Sequence, residues 1–268
     1  MTQNYVKTLI HEKTWLILEF GYDAIYYLEG EDRGLLIDTG IGGGDLKSYI
    51  AEFATKPYDV VLTHGHLDHV GAICQYPEIY VNHEDWGMIE RTSNDARRVF
   101  IENLDEMSIH DVPDQDASCM CEFSTDKLPV FRDLNEYDVF DLGGRKVTAY
   151  SLPGHTEGCM CLYDDFSNSL FAGDTIIQRL LLVSGPKDYV ERLKRWKEAA
   201  ERIVISKYES YNGVYLGHYG RASNEMIDTI YTIANLLIED IGRLNEFDGE
   251  HFMIGKYQIA LEMNLKLK

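Results

Sequence analysis

The sequence predicts an α+β fold of two β-sheets packed face to face with helices outside. Three observations predict it. The elements run strands, helix, strands, helix, strand, helix, which divides the chain into two β-rich halves. Two long segments space their apolar residues as helices do, at Val190, Leu193, Trp196, Ala200 and Ile203, and at Met226, Ile230, Ile233, Leu237 and Ile241. The other apolar runs are short, rich in β-branched residues and separated by glycine-bearing turns, as strands are.

In chain order, strands are expected at Trp15 to Phe20, Ala24 to Leu28 and Gly34 to Ile37, the last ending at Asp38-Thr39-Gly40. Gly42-Gly43-Gly44 then opens a short helix around Leu46 to Phe53. These glycines lack the spacing and the Lys-Ser/Thr ending of a phosphate cradle, so they read as a flexible loop. Val60-Val61-Leu62 is a buried strand, Val70 to Cys74 opens a helix, Ile79 to Val81 is a strand, and residues 84–104 are helix-compatible. From Asp105 to Asp133 periodicity fades and Asp, Pro and Ser gather, as in a loop, a lid or a surface excursion. Asp138 to Asp141 and Lys146 to Leu152 form a hairpin through Gly143-Gly144. Cys159 to Tyr163, Leu170 to Ala172 and Val214 to Leu216 are further strands, and residues 246–268 form a strand-like tail. Without an internal repeat or a low-complexity linker, one domain over residues 1–268 is expected.

Formal net charge is −20, from 45 acidic and 25 basic residues. Such a surface repels phosphate backbones and anionic membranes, so neither nucleic acid nor membrane is an expected partner. No stretch reaches the ~18 apolar residues of a transmembrane helix, and Met-Thr-Gln-Asn-Tyr-Val-Lys has no apolar signal region, so a cytoplasmic protein is expected. The oligomeric state stays open. The five cysteines, 74, 119, 121, 159 and 161, read as reduced thiols, with Cys159 and Cys161 packed on one strand face.

The densest chemistry lies in Thr63-His64-Gly65-His66-Leu67-Asp68-His69-Val70-Gly71, which puts four metal-ligand side chains directly after a strand. Imidazole and carboxylate are natural ligands for zinc, iron or manganese. In an extended segment His64 and His66 point the same way and can grip one ion, whereas the adjacent Asp68 and His69 diverge and suit a second. Three further ligand candidates each follow a strand and a glycine that permits close backbone approach: His155 after Gly154, Asp174 after Gly173 and His218 after Gly217. Five histidines and two aspartates suffice for two metals.

This pattern resembles the metallo-β-lactamase superfamily, an αββα sandwich of two mixed sheets with outer helices whose members are metal-dependent hydrolases. The matching pieces are Thr63 to Gly71, His155, Asp174 and His218, in the family's order and spacing, and the resemblance covers about residues 12–245. It implies that His64, His66 and His155 hold one divalent ion and that Asp68, His69 and His218 hold the other. Asp174 then bridges the two, and Asp38 orients a ligand histidine from behind. Zinc is the first choice of metal, with iron and manganese as alternatives. A hydroxide shared by the ions would be the nucleophile, aligned by Asp68, and no serine or cysteine nucleophile is needed.

Lactamases of this fold place Cys or Ser where this chain has Asp174, which argues against antibiotic hydrolysis. The flavin-dependent relatives place Glu at His66 and add a flavodoxin domain, and this chain has neither. The expected activity is hydrolysis of a small-molecule ester, thioester, lactone or phosphoester. The alternative is a mononuclear non-haem iron oxygenase acting on persulfides. Tyr219 and Arg179 are nearby polar residues and candidates for substrate contact.

Overall fold

The computed structural model describes residues 4–104, 117–182, 189–239, 251–254 and 257–261. A seven-stranded sheet takes its strands in chain order: β1 (Tyr5–His11), β2 (Thr14–Glu19), β3 (Asp23–Glu29), β4 (Gly34–Ile37), β5 (Tyr58–Val61), β6 (Glu78–Val81) and β7 (Val130–Asp133). It is mixed, antiparallel from β1 to β4 and parallel from β4 to β7. The second sheet contains β8 (Val139–Asp141), β9 (Lys146–Ser151), β10 (Met160–Asp164), β11 (Ser169–Gly173) and β13 (Gly213–Leu216), in the order β13-β11-β10-β9-β8. It too is mixed, with β11 and β13 parallel.

Side-chain alternation explains the layers. Ala24, Tyr26 and Leu28 of β3 face Val147, Ala149, Met160, Leu162 and Phe171 of the other sheet. The intervening Ile25 and Tyr27 point outward and pack with Leu46 and Ile50 of α1 (Leu46–Ala51). Every residue of β3 is therefore buried. The second sheet is covered by α4 (Tyr189–Ala200) and α5 (Asn224–Glu239), whose Leu193, Trp196, Ile230, Ile233 and Leu237 meet Cys161, Leu170 and Ala172. On the outer side of the first sheet α2 (Trp86–Ile89) joins the cluster of Ile25 and Tyr27, while α3 (Asn94–Glu102) packs Ile101 with Phe20 and Ile41 and is capped by the Ser93 hydroxyl, which accepts from Ala96 N. The αββα sandwich is as the sequence predicts.

Arg145 ties the sheets together. It is 2% exposed and forms a forked pair with Asp164 at 2.9 and 2.7 Å. It also donates to Lys13 O, Glu29 O and Thr14 Oγ1 across the sandwich.

Several expectations need correction. The N-terminal strand β1 carries Val6, Lys7, Thr8 and Leu9 exposed on a sheet edge, so it has no clean alternation to announce it. Val70 to Cys74 yields only a 3-10 turn at Ile73–Gln75, because the chain is held by Thr39 and Gly40 there. Within the loop expected over 105–133, residues 105–116 lie outside the described residues, and Val130–Asp133 is the edge strand β7, exposed at Val130, Arg132 and Asp133 and hence too polar to read as a strand. A third small sheet joins β12 (Arg179–Leu182) to β15 (Tyr257–Leu261) and β14 (His251–Ile254), so the tail pairs with a strand the sequence did not announce. Residues 262–268 of the tail lie outside the described residues.

The glycine loop is pinned rather than flexible. The buried Glu19 carboxylate accepts from the backbone N–H groups of Ile41, Gly42 and Gly43. Arg97 donates to Ile41 O at 2.7 Å and Gly42 O at 3.2 Å. No disulfide joins any of the five cysteines; Cys159 and Cys161 are buried. Among the described residues no helix is long and apolar enough to cross a membrane.

Candidate metal centre

All seven candidate ligands converge at one end of the sandwich, on loops that follow β5, β9, β11 and β13. Three overlapping groups form: His64, His66 and His155; His64, His69 and Asp174; and Asp68, His69 and His218. Within each group the ligand atoms lie within 4.8 Å of one another. His64 Nε2 and His66 Nδ1 are 3.1 Å apart, as their alternate positions in an extended segment predict. Asp68 and His69 do not diverge. The chain turns after His66, where His69 N–H donates to His66 O, so both side chains come round to the same group, 4.0 Å apart.

Asp174 occupies the middle. Its Oδ1 lies 3.6 Å from His69 Nε2, and its Oδ2 lies 3.6 Å from His155 Nε2 and 3.1 Å from His218 Nε2. It reaches this position from the tight turn after β11. Gly173 there has φ +53, a left-handed conformation that favours glycine. Gly217 is needed for space instead: a β-carbon there would overlap Asp174 Oδ1 and His69 Cε1. Trp196 of α4 supports this turn from below, its indole N–H donating to Thr175 O at 2.8 Å.

Behind the ligands stands a ring of polar supports. Asp38, itself at φ +62, accepts from Thr63 N and Thr63 Oγ1, each at 2.7 Å, and its Oδ2 lies 3.0 Å from His69 Nδ1. Thr39 closes the same turn by donating to His69 O. Two further aspartates were not singled out in the sequence. Asp23 sets Oδ1 3.2 Å from His218 Nδ1. Asp85 accepts from Gly65 N at 2.8 Å, Thr156 Oγ1 at 2.7 Å and Gly158 N at 3.0 Å, so it staples the His64–His66 segment to the His155 segment. Neither has a sequence signal: Asp23 begins a strand, and Asp85 lies in the polar run His83-Glu84-Asp85.

The charges sort into two environments. Burial, with the neighbouring histidines, holds His64 well below the ordinary imidazole range and His66 down at about 3, so both are neutral at pH 7. Burial opposes a charge on His69 and His218 as well, but the carboxylates around them outweigh it. His69 is held well above its ordinary value by Asp174, Asp68 and Asp38, and His218 rises to about 10 beside Asp174 and Asp23. Burial pushes Asp174 up, and His218 and His69 more than reverse that, so it is held well below the carboxylate range.

The donor set fits divalent metal ions. His69 Nε2 and Asp174 Oδ1 are buried, and neither has a hydrogen-bond partner among the described residues. Their 3.6 Å separation is too long for a hydrogen bond. It suits two bonds of about 2.0–2.2 Å to one shared ion.

A family model described as the Metallo-beta-lactamase superfamily matches residues 19–209. The chain belongs to that superfamily. The acyl-coenzyme A thioesterase MBLAC2 of Homo sapiens is 26% identical to this superfamily member over 219 residues, covering 76% of this chain and 75% of the relative. The hydroxyacylglutathione hydrolase GloC of Haemophilus influenzae is 30% identical over 151 residues, 56% of this chain and 64% of the relative. Among solved structures, a metallo-beta-lactamase family protein from Thermus thermophilus superposes with a TM-score of 0.59 at 18% identity, covering 90% of this chain and 85% of that one. That likeness shows the shared fold.

Of the other residues noted in this superfamily member's sequence, Tyr219 takes φ +60 and sets its ring edge-on to Tyr22 at 5.2 Å. The side chain of Arg179 lies outside the described residues. Asp38→Ala removes the carboxylate behind His69 and strands two Thr63 donors. It is expected to weaken metal binding about 10–100-fold. A metal titration indistinguishable from wild type would reduce Asp38 to a turn residue.

Proposed function

We propose that this superfamily hydrolase is a dinuclear metal-dependent enzyme that cleaves small-molecule thioesters. The observation that carries the two-ion reading is the position of Asp174, whose two oxygens lie between the His155 side and the His69–His218 side of the cluster. His64, His66 and His155 would hold one ion, Asp68, His69 and His218 the other, and Asp174 both. Zinc suits this imidazole and carboxylate set best; iron and manganese accept the same ligands. Bound there, the ions would supply a water that ionises near neutral pH and a Lewis acid for the substrate oxygen.

The chain's own residues do the rest. Asp68, whose Oδ2 lies 3.6 Å from His218 Nε2, would align the attacking water by accepting a hydrogen bond from it. Asp38 and Thr63 hold the imidazoles of His69 and His64 from behind, so the ligand set is preorganised. The departing thiol ionises near pH ~8.5, so it leaves as thiolate without a strong general acid. The thioester class draws on the two relatives, one called an acyl-coenzyme A thioesterase and the other a hydroxyacylglutathione hydrolase: an acyl group on a thiol is common to both names. The net charge of −20 supports a small substrate rather than nucleic acid, and a cytoplasmic setting is part of the same proposal.

The test is a substrate panel on protein of measured metal content: acyl-coenzyme A, hydroxyacylglutathione, a carboxylic ester, a lactone and a phosphodiester. Two ions per chain and fastest turnover of a thioester are expected, with activity lost on chelation and restored by metal. Preference for a lactone or phosphodiester would overturn the substrate class. One iron per chain with oxygen uptake would overturn the hydrolase in favour of the oxygenase.

A further inference from the structure

Asp23 is a buried carboxylate that the hydrolytic chemistry does not use. It is 1% exposed, and neither of its oxygens has a hydrogen-bond partner of normal geometry among the described residues. Burial pushes its carboxyl up to about 6. It also sits directly across the β2–β3 hairpin from Glu19, a second fully buried acid. Burial, with Asp23 opposite, pushes Glu19 up to about 8, because two like charges facing each other in a sheet are unfavourable. Glu19 has a task that accounts for it, the cradling of the glycine loop. Asp23 instead faces a polar atom of the candidate metal cluster.

That atom is Nδ1 of His218, 3.2 Å from Asp23 Oδ1. The meeting is built into the backbone. Asp23 and His218 face each other across an isolated antiparallel bridge, and Ala24 N–H donates to Gly217 O at 2.8 Å. The hairpin that delivers Asp23 is tight: Phe20 and Gly21 both have positive φ, and Tyr22 N–H closes the turn on Glu19 O. Tyr22 then lays its ring 4.4 Å from the His218 ring and accepts from Tyr219 N–H through its carbonyl. The imidazole thereby has an aromatic ring against it and a carboxylate beside the nitrogen away from the cluster, while Nε2 points at Asp174 and Asp68.

We infer that Asp23 is a positioning residue for the second metal ion, holding His218 in the Nδ1–H tautomer so that Nε2 is free to coordinate. It does for His218 what Asp38 does for His69, so each of the two histidines on that side has its own carboxylate behind it. Behind His64 it is Thr63 Oγ1 that stands 3.1 Å from Nδ1. A carboxylate behind an imidazole raises its basicity as a ligand. The second position is thus the one whose affinity depends on these buried acids.

The inference rests on the dinuclear reading, and metal titration of purified full-length protein separates the two. Metal-free wild type, Asp23→Ala and Asp23→Asn are titrated with Zn2+ or Co2+ and followed by calorimetry, by the Co2+ visible spectrum and by thermal unfolding with and without metal. The first ion should bind all three alike. The second should bind Asp23→Ala about 10–100-fold more weakly, with Asp23→Asn in between, since its amide oxygen still accepts from Nδ1–H. The rise in melting temperature on adding metal should also shrink in Asp23→Asn. A merely structural Asp23 would leave both the affinities and the metal-induced rise in melting temperature unchanged. Wild type with two ions and variants with two ions of wild-type affinity would overturn this role for Asp23 alone. A wild type that takes up one ion would overturn the dinuclear reading and this inference with it. Asp23→Asn, close in shape to Asp23, carries the test should the alanine variant not fold.

Discussion

Replacing Asp174 with alanine is expected to take the protein from two bound ions towards one and to slow hydrolysis about a thousandfold or more. The size follows from what the carboxylate reaches. It approaches His69, His155 and His218 together, so its loss removes a candidate ligand from both halves of the centre. A metal acting as Lewis acid is worth several kcal/mol in the transition state, and each ~1.4 kcal/mol is a factor of ten in rate. A second consequence concerns the metal-free protein. Asp174 is the first carboxylate among those that raise His69 and His218 against burial, so its removal lowers both towards the ordinary imidazole range. Metal analysis and kcat on the same preparation check the prediction. An alanine variant with two ions and undiminished kcat would end the bridging assignment.

Arg145→Ala is expected to cost about 3–5 kcal/mol of folding stability, the largest effect of any single change away from the metal centre. Removing one member of a buried ion pair leaves the other charge uncompensated. Asp164 is fully buried, and its other hydrogen bonds, from Ser167 and Phe166, do not neutralise it. The same substitution removes the hydrogen bonds that Arg145 donates to Lys13 O, Glu29 O and Thr14 Oγ1 of the opposite sheet. Urea unfolding of the metal-free protein measures the loss. Replacing both partners with apolar residues of similar volume should recover much of it, because the desolvation of both charges disappears together. A loss below about 1 kcal/mol in the single variant would show that water reaches Asp164.

Much of this was legible in the sequence for reasons that are local. Strands such as β3 and β10 announce themselves because both of their faces are covered, leaving nearly continuous apolar runs. The ligand candidates were legible because a histidine cluster in one loop is rare by chance, and because glycines mark where loops must approach, as Gly217 does beneath Asp174. The edge strands of the first sheet were not legible. Strands β1 and β7 expose most of their side chains, so hydrophobic pattern carries no trace of them. Nor were Asp23 and Asp85. Their significance is a matter of partners far along the chain, His218 in one case and Gly65, Thr156 and Gly158 in the other. The pinned glycine loop belongs to the same class, since its hold comes from Glu19 and Arg97.

The candidate ligands are drawn from both sheets, four from the loop after β5 in one and three from the loops after β9, β11 and β13 in the other. With ions in place, coordinate bonds would clasp the two halves of the sandwich at one end, closing chain loops that span most of the molecule. Such a clasp acts as a reversible counterpart of a disulfide, limiting the freedom of the opened chain. Its consequence is one of lifetime: global opening has to wait for metal release, so a chelator should shorten survival under protease far more than it changes the resting structure.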